Sequence, residues 1–122
     1  MSGKDHKVAA LLEGVETGPH DPHFAGYFRC FNEQKFYEAH DVLEALWLQD
    51  RNGQDGDFFK GLIQFAGAFV HLQKKRPRPA WKLLRLCTIY LAKYPSPHLE
   101  LDVANVLRLA KRWGEAAQVL GS

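Results

Sequence analysis

Apolar residues recur along this chain every three to four positions, and strict alternation is nearly absent. That period predicts helices and no sheet. Val8, Leu11, Leu12 and Val15 follow i, i+3, i+4, i+7, so a short first helix is expected, broken by Gly18 and Pro19. Asp21-Pro22 reads as an N-cap followed by proline at the first helical position. Phe24, Tyr27, Phe28 and Phe31 then make an aromatic stripe. Asn32 to Lys35 reads as a tight turn. Phe36, Ala39, His40, Leu43, Leu46 and Trp47 line the next helix, which runs to about Gln49.

Asp50 to Gly56 is a polar loop with two glycines, and Asp55 or Asp57 is placed to cap the helix after it. The stretch Phe58 to Leu72 is apolar nearly all round, the mark of a central, buried helix. Arg76-Pro77-Arg78-Pro79 stops it, and Pro79 can open the next helix, with Trp81, Leu84, Cys87, Thr88 and Leu91 on one face. Tyr94-Pro95 ends that helix, and Ser96-Pro97 is a second N-cap and proline pair. Leu99, Val103, Val106, Leu107 and Ala110 define the last long helix, with Gly114 expected to interrupt it before a closing turn of Ala116 to Leu120. Connections this short make successive helices antiparallel. The expected fold is all-α: a compact bundle of about five antiparallel helices around a buried central one. Residues 1–20 read as an N-terminal segment holding the short helix, and 21–122 as a single helical-bundle domain.

A chain of 122 residues is one domain's length and can bury enough surface to fold without a metal or disulfide. Eight Phe, four Tyr and three Trp supply large core-filling side chains. Cys30 and Cys87 lie inside apolar helical patterns with no ligand spacing, so they read as reduced core thiols. Residues 1–7 are polar and no apolar leader comes after them. The run Phe58 to Leu72 is shorter than the roughly 20 residues of a membrane span. A cytoplasmic protein without membrane contact is expected. Net charge is +2 but segregated: residues 1–57 carry 11 acids and five bases, whereas residues 58–99 carry eight bases and no acid. Such asymmetry can orient docking or attract an anionic partner, and it can equally pair the two halves of the chain.

Chemistry is carried by polar residues on faces that should be apolar. His40, Glu44 and Trp47 stack on one side of their helix, with Tyr37 and Asp41 flanking them and Glu38 pointing elsewhere. Gly61, Gln64, Ala68 and His71 share a face of the central helix. If the two helices are antiparallel neighbours, His40 and Glu44 meet Gln64 and His71 in one buried cluster. Such a cluster is a hydrogen-bond network fixing helix register, a divalent metal site in which His40, Glu44 and His71 bind zinc or iron, or an acid–base pair. No HExxH is present, and no phosphate loop or nucleophile elbow either. The basic stretch Lys74, Lys75, Arg76, Arg78, Lys82 and Arg85 could meet phosphate or simply be a solvated helix end. The small net charge argues against a dedicated nucleic-acid protein. His6, His20, His23 and His98 fall in expected loops or caps and read as exposed and idle.

The run Phe31-Asn32, then Phe36-Tyr37-Glu38-Ala39-His40-Asp41, Leu43-Glu44 and Trp47, with Gly61-Leu62-Ile63-Gln64, Ala66, Ala68 and His71 further on, resembles the domain of unknown function 309 family. The resemblance spans roughly residues 24 to 91. It implies a compact helical bundle and no established activity, although family members are sometimes labelled predicted metal-dependent hydrolases. The family's signature polar positions fall on Glu38, His40, Glu44, Gln64 and His71. Asp41 stands where Glu is usual, and Arg76-Pro77-Arg78-Pro79 replaces a turn that usually carries Gly and Asn.

The resulting expectation is a non-enzymatic helical module whose binding cluster is Glu38, His40, Glu44, Trp47, Gln64 and His71, with a small cleft beside Trp47. A metal-dependent hydrolase using His40, Glu44 and His71 is the alternative, and nucleic-acid binding through residues 74–85 is the third reading. No cofactor beyond that metal is implied, and homo-oligomerisation is left open.

Overall fold

The computed structural model describes residues 3–15 and 20–121, and their side chains from residue 6 onward. It contains α1 (Gly3–Leu11), α2 (Pro22–Asn32), α3 (Phe36–Gln49), α4 (Gly56–Gln73), α5 (Pro77–Leu91) and α6 (Val103–Leu120). Among the described residues there is no strand, only an isolated antiparallel bridge between His98 and Leu101. The expected break at Gly18 and Pro19 lies outside the described residues. No described helix is long and apolar enough to cross a membrane.

Each helix from α2 onward packs mainly on its neighbours in sequence, and α1 lies on α3. Ring contacts fix the antiparallel sense of α3 and α4. Phe36 at the start of α3 meets Phe69 near the end of α4, 5.2 Å between centroids, and Lys60 near the start of α4 lies 4.4 Å from the ring of Trp47. The α2 stripe faces the same core. Phe31 stacks on Phe65, and the buried Tyr27 hydroxyl donates to the Leu62 carbonyl at 2.7 Å. Desolvation holds that phenol well above its ordinary pKa, so it remains a donor. As its all-round apolar pattern predicts, α4 is central: Phe58, Leu62, Ile63, Phe65, Ala66 and Ala68 are all buried.

Caps agree with the sequence in some places and depart in others. Asp21 Oδ1 accepts from the His23 backbone N–H at 2.8 Å, with Pro22 opening α2. At the start of α4, Asp55 occupies the N-cap position without a side-chain capping bond, because its carboxylate is taken by His98 Nε2 at 2.8 Å. Ser96-Pro97 does not open the last helix. That helix starts at Val103, capped by Asp102, whose Oδ1 accepts from Asn105 N–H at 3.0 Å. Ser96 Oγ instead accepts from Ala104 N–H and donates to Asp102. Leu99 lies in the turn before it, where Leu99 and Glu100 both have positive φ (47° and 65°) and reciprocal His98–Leu101 backbone bonds close the turn. Such a turn favours Asn and Gly. It is held here by the His98 ring, wedged between Phe58 and Tyr94 and tied to Asp55. Nor does Gly114 interrupt α6: one glycine costs about 1 kcal/mol in a helix interior, too little to break a helix that is packed along its length.

Candidate functional site

The polar row on α3 is arranged differently from its expected burial. His40 and Glu44 lie one helical turn apart, His40 Nε2 to Glu44 Oε2 at 3.7 Å, and their side chains keep 29% and 28% of their surface exposed. Glu38, Trp47, Gln64 and His71 are likewise only partly buried. The buried charged residue is Asp41, 2% exposed and alone in that class among the described residues. Its Oδ1 lies 3.3 Å from His40 Nδ1, and its Oδ2 lies 3.8 Å from Lys7 Nζ, which reaches over from α1. The same ammonium stands 4.9 Å from the Tyr37 ring.

Local sequence explains this orientation. Ala39, Val42 and Leu43 are completely buried and turn one side of α3 to the α2–α4 core. Asp41, Ala45 and Leu48 fall on the far side, where α1 lies. There α1 buries Val8, and the turn that ends it lays Leu12 into the notch that Gly26 leaves beside Val42. Asp41 is therefore enclosed because a helix passes over it. Its charge is matched by a lysine whose own ammonium stays near solvent, an arrangement that spares the cost of an isolated buried carboxylate.

The small-residue face of α4 is turned in part to α5. A Cβ on Gly61 would stand 2.8 Å from Leu91 Cγ and 3.2 Å from Tyr90 Cβ, so the glycine is a seat for α5. His71 likewise has its own surroundings. Its Nδ1 is buried and finds no hydrogen-bond partner among the described residues. Burial, then the Arg76 and Lys74 cations, lower its pKa, and no carboxylate offsets them. A lowered pKa leaves the ring neutral at pH 7. Gln64 lies on the partly exposed flank of α4. Among the described residues no group of three or more His, Cys, Asp or Glu side chains is placed to hold a metal ion. His40, Glu44 and His71 do not fit a ready-made ligand set. Trp47, the expected wall of a cleft, has its ring face covered by Lys60.

The basic stretch divides in two. Lys74, Lys75 and Arg76 form the exposed exit of α4, where cations suit the carbonyl end of a helix. Arg78, Lys82 and Arg85 fall at i, i+4, i+7 along α5, and Arg78 Nε–H donates to the Gly121 carbonyl at 3.4 Å.

Three groups escape sequence reasoning. The helical repeat marks Asp41 only as a flank of the His40 row; the signal for its burial is the need of the Val8, Leu11, Leu12 stripe to cover some other helix. Lys7 gives no signal of its own. His98, expected to be idle, is 18% exposed and pinned to Asp55 by a contact 43 residues apart in sequence. His20 lies 3.5 Å from Glu100 and His23 2.7 Å from Asp21, while His6 is exposed. Cys30 and Cys87 are free and buried, as expected. Burial raises both thiol pKa values, that of Cys87 to about 12.

Neither the curated proteins nor the solved structures give a significant match to the chain. A family comparison does: residues 24–83, which run from the α2 stripe through His40, Asp41, Glu44, Gln64 and His71 into α5, match DUF309, described as a domain of unknown function. Residues 24–83 of the chain thus carry the match to the domain of unknown function 309 family.

Proposed function

We propose that this chain is a non-enzymatic helical module in which His40, Asp41 and Glu44 are architectural: they form the polar seam that seats α1 on α3. The observation that carries this reading is Asp41. It is buried, and its carboxylate turns towards Lys7 of α1 and His40. A carboxylate serving a substrate would face open space; this one faces a helix of its own chain.

His40→Ala tests it. An architectural role predicts a stability loss of about 1 kcal/mol, the usual worth of a hydrogen bond at a half-exposed site, with a loosened α1. That loss is read from urea unfolding, and the loosening from faster amide exchange in residues 6–12. The proposal fails if the variant matches the parent in both measurements. The metal-dependent hydrolase reading needs His71 to join His40 and Glu44, and the Arg76 and Lys74 cations beside His71 do not favour a divalent ion there. Elemental analysis of untagged protein decides that point: one equivalent of zinc, manganese or iron, lost in His40→Ala, would favour the hydrolase reading.

A further inference from the structure

A groove of about 660 Å³ runs between α5 and α6, apart from the polar seam on α3. Its floor is apolar, built from Leu84, Leu107, Ala110 and Gly114, with the half-exposed Ile89 on its wall. From Trp81 to Ala92, the residue that caps α5, it runs along 11 helical steps, about 16 Å at the helical rise. A second hollow of about 370 Å³ prolongs it past Trp81 towards Arg78 and Lys82. The lip is cationic. Arg85 and Lys111 stand on opposite walls, Lys82 and Arg108 extend the two rows, and Glu115 is the one acid that lines the groove. Among the described residues Lys82, Arg85 and Lys111 make no ion pair, so their charge is available to a ligand.

We infer that the α5–α6 groove docks an acidic amphipathic helix from a partner protein. The dimensions suit three turns of helix laid along the groove, with apolar residues at i, i+3, i+4 and i+7 on the floor and carboxylates meeting the two cationic rows. A nucleic acid would use the cations and leave the apolar floor unfilled; a protein helix uses both. Charge complementarity also selects the sign of the partner and steers its approach. This inference goes beyond the architectural reading of the α3 row and does not depend on it, since the groove is built by α5 and α6 alone.

The test uses the full chain and a fluorescein-labelled peptide of about 18 residues, with leucine at helical spacing and glutamate elsewhere, and a counterpart with lysine for glutamate. Anisotropy at low salt reads binding, and amide shifts of the labelled protein read the place. The glutamate peptide is expected to bind saturably and shift Leu84, Ile89, Leu107 and Lys111, while the lysine peptide does not bind. Two variants at exposed positions keep the fold intact, checked by an unchanged helical spectrum. R85E with K111E should weaken the glutamate peptide about tenfold and admit the lysine one; Ile89→Asp should weaken both the glutamate peptide and its amide shifts by a similar factor. No saturable binding by the glutamate peptide overturns the inference. So do shifts that fall elsewhere, tighter binding of single-stranded RNA at the same residues, or groove shifts produced by raising protein concentration alone, which would make the occupant a second copy.

Discussion

Adding one methyl group to Gly61 should destabilise this protein, although the same change in a helix interior ordinarily stabilises. Replacing glycine by alanine inside a helix gains about 1 kcal/mol, because the alanine backbone loses less freedom on folding. At Gly61 the new methyl would stand 2.8 Å from Leu91 Cγ, 2.9 Å from Leu91 Cδ2 and 3.2 Å from Tyr90 Cβ. The first of these is a branch point and the last is bound to the α5 backbone, so a simple rotamer change does not relieve them. Leu91 is completely buried and has nowhere to retreat. Separating α4 from α5 there is overpacking, and with no room to yield it falls in the upper part of the usual range, about 2–3 kcal/mol, so the net expectation is a loss of about 1–2 kcal/mol. Gly67 provides the contrast on the same helix. Its new methyl would meet only the terminal Cδ1 of Leu83 at 3.2 Å, a half-buried side chain with room to turn, so Gly67→Ala should be neutral or gain up to about 1 kcal/mol. Gly114→Ala, with its nearest neighbours at 3.9 Å, should also gain. Urea unfolding tracked by ellipticity at 222 nm reads all three. With a slope of about 1–3 kcal/mol/M, the midpoint of Gly61→Ala should fall by roughly 0.5–1 M while the others stay or rise. A Gly61→Ala protein as stable as the parent, or all three shifting together, would refute the close α4–α5 contact.

Tyr27→Phe keeps the ring in place and deletes its bond to the Leu62 carbonyl, so it should cost about 0.5–1.5 kcal/mol in the same unfolding assay; no change would mean that bond contributes nothing. The burial-raised thiols, Cys87 at about 12, should leave native protein inert to a disulfide reagent at pH 8, with two thiols appearing only in denaturant, and a fast-reacting native thiol would contradict their burial. His71 has a folded pKa below the ordinary imidazole value of about 6.5, so the unfolded chain takes up the proton first as pH falls. Its contribution is complete above about pH 6.5 and is lost as pH falls from there through the folded pKa. The midpoint should decline below pH 7 and decline less in His71→Gln, whereas equal slopes in the two proteins would refute the assignment.

Local rules carry much of this fold. Helical periodicity and the Asp21-Pro22 cap place α2, α3, α4 and α5, because these signals act within a few residues of chain. The all-round apolar character of α4 likewise requires that it be surrounded. The start of α6 is where local reading fails: the capping sequence Ser96-Pro97 is recruited into a turn closed by His98 and Asp55, a contact no local window contains.

The candidate site divides in the same way. Which residues share a face of α3 is set by the helical repeat and is legible from the sequence. Which face meets which neighbour is set by how helices pack, and this leaves the His40 row half-exposed, seats Gly61 against α5 and gives His71 two cations for company. The enclosure of Asp41 depends on α1 crossing α3, so a residue with the look of a surface carboxylate becomes the buried charge of the seam. The groove between α5 and α6 is likewise a product of packing: its cations are plain in the sequence, and the apolar floor between them exists only once the two helices lie side by side. Periodicity is a property of one helix and can be read along the chain. Convergence is a property of two, and it is decided by the shape and volume of the side chains between them.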